Sequence, residues 1–247
     1  LKLLNAKFQA ALPNLEPFKM IFADPPDNIG LGYCSYDDKL PSLAYEELLH
    51  SILWLSREKC RVLWISFNAI HLPLMGFLVH DFLKDGGWEF KASVQIFTFG
   101  QHNKHDLGNN HRPLWRLMRE GTELYPDAIR VPSWRQLHGD KRANPRGRVP
   151  GDVFDFPRVV GNSKQRRRWH PTQLHEGLYE RCVKLSCSPD DSVCDIFAGT
   201  GTLGRVCKET GNPCTLIEMD PNYCEKIALE HDLQYVSNGP WDEWRSK

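Results

Sequence analysis

Two short stretches carry residues whose types and spacing suit chemistry. The first is Asp24-Pro25-Pro26, which halts the apolar run 18–23. Proline locks φ and removes an N–H donor, so this tripeptide is expected to hold the Asp24 carboxylate and the Pro25 carbonyl as acceptors in fixed directions. An amino group conjugated to an aromatic ring has two N–H bonds and a delocalised lone pair. Two acceptors that take both hydrogens draw the nitrogen toward sp³ and free the lone pair for in-line attack on a sulfonium methyl. The same tripeptide also serves as a plain helix stop. The second stretch, Asp195-Ile196-Phe197-Ala198-Gly199-Thr200-Gly201-Thr202, follows a strand-like run and opens a helical one. Its glycines permit a sharp turn and close backbone approach, and a helix N-terminus offers unpaired N–H groups. It lacks the Gly-Lys-Ser/Thr of a P-loop. One strand later Glu218 ends Cys214-Thr215-Leu216-Ile217-Glu218, where an acid can accept both hydroxyl hydrogens of a ribose. A Gly-x-Gly turn alone is also a structural strand–helix junction; with the acid at the next strand tip, the pair predicts a nucleoside-binding crevice.

The elements that must position these residues follow from hydrophobic periodicity. Runs 18–23 and 61–67 read as buried strands, and 42–54 as a helix with Ser42 as its N-cap. Residues 71–84 read as helical and 88–99 as extended. From about 100 to 165 the pattern breaks down, with Pro, Gly, Asn and Arg accumulating and only 114–118 retaining regularity; so long an irregular stretch is expected to be a functional insertion. Order resumes with helices at 176–185, 203–210 and 223–231 and strands at 192–196 and 214–218. Alternating strands and helices predict one α/β domain over 1–247 with a mostly parallel sheet, whose ligands gather at the carboxyl ends of the strands.

Apolar residues make up 41% and charged residues 25% of the 247, ordinary globular values, and no apolar run approaches the roughly 18 residues of a membrane span. The first fifteen residues lack the pattern of a secretory signal, and the missing initiator Met is expected of a trimmed sequence. Eight cysteines form no Cys-x-x-Cys pair, so reduced core thiols, a cytoplasmic setting and no metal centre are expected. Formal charge is zero, yet the segment 130–168 holds eleven Lys and Arg against three Asp and Glu. A basic segment on a neutral chain points to a polyanion contacted on one face.

Asp24-Pro25-Pro26, then His170-Pro171-Thr172-Gln173, then Asp195-x-Phe197-x-Gly199-x-Gly201-Thr202 resemble, in that order, the beta class of DNA amino-methyltransferases. The likeness extends to Ser133-Trp134-Arg135-Gln136 and Asp140-Lys141-Arg142. It implies a Rossmann-like, S-adenosylmethionine-dependent methyltransferase fold, a seven-stranded sheet, and the insertion at about 100–165 as the target recognition region. It implies that Asp24, Pro25 and Pro26 orient the target amine, that Asp195, Phe197, Gly199, Gly201 and Thr202 form the cofactor loop, and that Glu218 holds the ribose. His170, Thr172 and Gln173 would hold the methionine end, and Arg135, Arg142, Arg146 and Arg148 would touch DNA. A homodimer is a further expectation of the resemblance.

Two residues depart from the family pattern. An aromatic residue usually follows the second proline and stacks on the extruded base; here it is Asp27, with Tyr33 or Tyr36 left to supply a stacking surface. The acidic residue usual near the start is replaced in Asn5-Ala6-Lys7. Pro213-Cys214 resembles the nucleophilic dipeptide of cytosine-C5 enzymes but precedes the Glu218 strand and reads as core. Asp rather than Ser at 24 leans toward adenine N6 over cytosine N4. Motif order argues against an RNA or protein-amide methyltransferase, and a silent DNA-binding module is the rival from outside enzymes.

Overall fold

Phe18–Ala23 is apolar on both sides of its pleat because it is covered on both faces. Ile21 and Ala23 pack into one core with Leu49, Ile52 and Leu53, while Met20 and Phe22 pack into a second with Leu178, Val183 and Leu203. The computed structural model describes residues 1–97, 103–236 and 239–246. In chain order the strands are β1 (Lys2–Asn5), β2 (Phe18–Ala23), β3 (Cys60–Ser66), β4 (Trp88–Lys91), β5 (Val94–Ile96), β6 (His111–Arg119), β7 (Val153–Asp155), β8 (Val193–Asp195), β9 (Cys214–Glu218), β10 (Gln234–Val236) and β11 (Asp242–Arg245). The helices are α1 (Phe8–Ala11), α2 (Ser42–Lys59), α3 (Leu72–Leu83), α4 (Trp134–Leu137), α5 (Glu176–Ser186), α6 (Thr202–Thr210) and α7 (Pro221–Glu230).

The sheet runs β10-β11-β1-β9-β8-β2-β3-β6-β5-β7, with β4 also on β6. Its centre, β1-β9-β8-β2-β3, is parallel throughout, and antiparallel strands flank it on both sides. The sheet therefore has eleven strands among the described residues, where the resemblance implied seven. Its parallel centre agrees with the α/β expectation. From the adjacent pair β2 and β8 the chain leaves in opposite directions, through α2 to β3 and through α6 to β9. Such a reversal opens a crevice beyond the strand ends. Parallel register brings Asn5 opposite Glu218, and Phe22 opposite Asp195, so the chemistry-bearing tips share one edge.

Several local expectations change. Pro41, not Ser42, is the N-cap of α2; Ser42 is its first helical residue, and the helix runs on to Lys59. The extended stretch expected over 88–99 splits into β4 and β5, and its last two residues lie outside the described ones. The largest correction concerns the insertion. His111–Arg119 is a nine-residue strand inside the sheet, bonded to β3 on one side and to β4 and β5 on the other. Its arginines hid it, because each finds a partner that periodicity does not register: Arg116 lies over the Trp64 ring and Arg119 donates to the carbonyls of Cys60 and Arg57. What remains outside the sheet after β6 is a short-element region: a 3₁₀ turn at Pro126–Ile129, α4 with its Ser133–Gln136 capping box, and a bridge between Val131 and Arg148.

Seven cysteines are buried and Cys34 is exposed. Cys214 belongs to the second core, as the sequence suggested. Among the described residues no helix is long and apolar enough to cross a membrane, and no cluster of His, Cys, Asp and Glu could hold a metal ion.

One buried polar contact joins sheet to helix: the Trp64 indole N–H donates to Ser186 Oγ at 2.9 Å. Replacing Ser186 by Ala leaves that N–H dry and unpaired. Urea unfolding of Ser186→Ala is expected to show a loss of about 1–3 kcal/mol.

Candidate active site

A cavity of about 710 Å³ opens beyond the ends of the parallel strands. Its walls come from Ala6 to Gln9 at the junction of β1 and α1, from Asp24 to Asp27 after β2, from the loops after β8 and β9, from residues 170–174, and from His111 and Arg112. Of the residues singled out in the sequence, Asp24, Pro25, Pro26, Asp27, Tyr33, Tyr36, His170, Thr172, Gln173, Phe197, Gly199, Thr202 and Glu218 line it. Asp195 and Gly201 do not, and neither do Arg135, Arg142, Arg146 and Arg148.

At one end Arg112 reaches across from β6. Its Nη2 donates to Asp24 Oδ1 at 2.7 Å, its Nη1 to both oxygens of Asp27 at 2.9 and 3.0 Å, and its Nε to Ser66 Oγ at 2.7 Å. Burial pushes the Asp24 carboxyl up from its ordinary range, and the Asp27 charge adds to this, while the guanidinium pulls it back. Arg112 itself is held more firmly charged by the two carboxylates despite its burial. Asp27 thus takes no stacking role: its side chain is spent on Arg112 and its carbonyl bonds the His71 ring at 2.7 Å. The Pro26 carbonyl accepts from Tyr45 Oη at 2.9 Å. Arg112 takes only Oδ1 of Asp24, and Ser66 stands within hydrogen-bond reach of the same carboxyl. Asp24 and Pro25 both line the cavity.

At the other end Glu218 accepts from the backbone N–H of Gly199 and of Asp220, both at 2.9 Å. Burial pushes its carboxyl up to about 7. Asp195 is fully buried behind the loop: Oδ1 accepts from Phe197 N at 3.0 Å, and Oδ2 has no hydrogen-bond partner. Burial raises that carboxyl to about 8. Asp195 therefore shapes the loop from beneath instead of lining the cavity. Gly199 and Gly201 both have left-handed φ, +53° and +68°. A Cβ at Gly199 would stand 3.2 Å from the His170 ring in the cavity wall, whereas one at Gly201 would meet Ile227 at 3.0 Å and His231 at 3.1 Å. Gly201 thus serves the packing of α6 on α7, not the cavity.

His170 is kept neutral by burial, which lowers it to about 4, and its Nδ1 meets the Thr172 carbonyl at 2.6 Å. Both ends of the Gln173 side chain are used within its own loop, accepting from Arg167 N and donating to the Gln165 carbonyl. Gln173 thus braces the loop that presents His170 and Thr172. Thr202 is tied to Thr200 and Arg205. Sequence reasoning missed Phe8, whose ring lies 5.1 Å from that of Phe197, and Arg112, which sat in what read as an irregular insertion.

The loop 28–40 walls the cavity with Tyr33 and Tyr36, whose rings meet edge to face at 6.0 Å. Tyr33 Oη lies 3.5 Å from Thr172 Oγ1. The loop hangs on buried Asp38, whose oxygens accept from the backbone N–H of Asn28, Ile29, Gly30 and Leu31. The four insertion arginines are exposed; Arg142 pairs with Asp140 and Arg146 with Asp127.

The two glycines of the loop separate by experiment. Gly201→Ala is expected to lower unfolding free energy by about 1–3 kcal/mol, from positive φ and overpacking together. Ile227→Ala removes both γ carbons that the new Cβ would meet, so Gly201→Ala should cost less in an Ile227→Ala background than in the parent, as read by urea denaturation.

Residues 18–230 match the family model described as DNA methylase, N6_N4_Mtase. The chain is 31% identical to the type II methyltransferase M.HpaI of Haemophilus parainfluenzae, over 94% of this chain and 74% of that one. It is 30% identical to the DNA adenine methyltransferase YhdJ of Escherichia coli (strain K12), over 84% of this chain and 74% of that one. The fold superposes on the PvuII DNA methyltransferase, described as cytosine-N4-specific, with a TM-score of 0.69 and 14% identity over 92% of this chain and 84% of that one. With its three motifs gathered around one cavity and the family matched over most of its length, the chain belongs to the N6/N4 DNA methylases.

Proposed function

We propose that this protein transfers a methyl group from S-adenosylmethionine to the exocyclic amine of a base in DNA, adenine N6, leaving S-adenosylhomocysteine. The observation that carries it is a single cavity lined by Asp24 and Pro25 at one end and by the Gly199 loop with Glu218 at the other. When bound, S-adenosylmethionine supplies an electrophilic methyl. Glu218 would accept from its ribose hydroxyls, Phe8 and Phe197 would face its adenine, and Gly199, His170 and Thr172 would border its methionine end. Asp24 and Pro25 accept the two amine hydrogens, which concentrates the nitrogen lone pair for attack, and no covalent enzyme intermediate is needed. Tyr33 and Tyr36 offer ring surfaces for a base taken out of the stack. Asp at 24 and the similarity to a relative named for adenine support N6 over N4.

The test is transfer of labelled methyl to duplex DNA, followed by digestion and mass analysis of the nucleosides. N6-methyldeoxyadenosine is expected; N4-methyldeoxycytidine would overturn the choice of base, and binding of DNA without label would favour a silent module. Asp24→Ala should lower kcat by about two to four decades with little change in cofactor affinity, since the carboxylate acts on the amine. Retention of most activity would sink its role.

The exposed arginines of the insertion are proposed to contact DNA phosphates. Arg135 and Arg142 pair with Asp140 and Arg146 with Asp127, and such surface pairs are weak enough for phosphate to replace. If Arg142, Arg146 and Arg148 each neutralise a phosphate, the triple Ala variant should flatten the slope of log affinity against log salt by about 0.9 per contact. An unchanged slope would make them surface charge.

A further inference from the structure

We propose that Arg112 is a positioning residue for methyl transfer: held by Asp27 and Ser66, it takes one oxygen of Asp24 and leaves the other aimed for the target amine. The inference rests on the proposed reaction and goes beyond the motif residues. Its basis is geometric. Asp24, Asp27 and Ser66 stand on the tips of β2 and β3, and one guanidinium from β6 donates to all three at 2.7 to 3.0 Å. A planar fork fixes direction as well as charge, which an ammonium does not. All three side chains in the clamp are largely buried, with 11 to 18% of each exposed, so these bonds are little screened.

This also accounts for Asp27. Where an aromatic ring would stack on the base, the acid instead anchors Arg112 from the side away from Asp24. Without Asp27 the guanidinium has one carboxylate partner and is free to swing; without Arg112 two carboxylates face each other in a dry site. Besides Arg112 and Asp27, the ionisable groups facing Asp24 are Asp195 below it, Tyr33 from the loop and Tyr179 from α5. None of these can replace the cation.

Opposite signs follow for two substitutions. Removing the Arg112 charge should raise the Asp24 titration midpoint and move the acidic limb of the kcat profile to higher pH. Removing the Asp27 charge in Asp27→Asn should lower that midpoint and move the limb to lower pH. The experiment uses the full chain and reads Asp24 directly by ¹³C carboxyl NMR, assigned with Asp24→Asn, beside single-turnover transfer to DNA. Arg112→Gln is expected to lose on the order of a hundredfold in kcat with cofactor affinity by calorimetry within about threefold. Arg112→Lys should keep the midpoint near the parent's while recovering only part of the rate, because charge returns without the fork. Where Arg112→Gln fails to fold, the double variant Asp27→Asn/Arg112→Gln, which buries one charge fewer, and Arg112→Lys carry the comparison. Midpoints that do not move, or that move in the same direction in Arg112→Gln and Asp27→Asn, overturn the clamp even if the parent methylates DNA. Midpoints that move as stated in a parent inert toward DNA uphold the clamp and overturn the proposed reaction.

Discussion

Carboxylates end three neighbouring strands in a place with little water. Asp24, Asp195 and Glu218 follow or close β2, β8 and β9, and burial pushes each toward its protonated form. The parallel register that lines up these tips makes the crowding unavoidable, since crossover strands deliver their carboxyl ends to one edge. The fold treats the three differently. Asp24 gains a guanidinium, Glu218 gains two backbone N–H groups, and Asp195 gains one and keeps an oxygen unpaired. Each solution leaves a different group at the cavity: an ion-paired carboxylate at one end, a carboxylate held by backbone N–H groups at the other, and a buried acid behind the loop between them.

Much of this was legible because it depends on local rules. An apolar run stopped by Asp-Pro-Pro, and a glycine turn between strand and helix, can each be read without knowing what lies across the sheet. Glu218 was found because its strand is short and its position terminal. Arg112 was not, since a strand that reads His-Arg-Pro-Leu-Trp-Arg hides its burial behind charges that only partners on other strands explain. The same blindness missed that the Gln173 side chain is bonded within its own loop and that Gly201 packs against Ile227 and His231. Spacing shows that a residue is near a site, while the direction of its side chain depends on neighbours far away in sequence.

The division between brace and contact residues recurs. Gln173 holds the segment that presents His170 and Thr172, Asp38 holds the loop that presents Tyr33 and Tyr36, and Arg112 holds Asp24. In the first two cases a side chain with several donors or acceptors satisfies backbone that has no ladder of its own, while in the third a guanidinium ties together side chains at the ends of two strands. Irregular backbone next to a cavity needs such partners, because its N–H and C=O groups would otherwise be buried unpaired.

The distribution of sulfur has a practical side. Burial raises the thiols of Cys60, Cys182, Cys187, Cys194, Cys214 and Cys224, and Cys207 is enclosed in the core with them. Thiolate is the reactive form, so the six raised thiols are slow toward alkylating reagents while the fold is intact, and burial shields Cys207 from them. Cys34 stands exposed, next in the chain to Tyr33 and Ser35, which line the cavity. A maleimide dye would therefore attach at one place without any engineering, beside the two tyrosines, and its emission would report on whatever enters there.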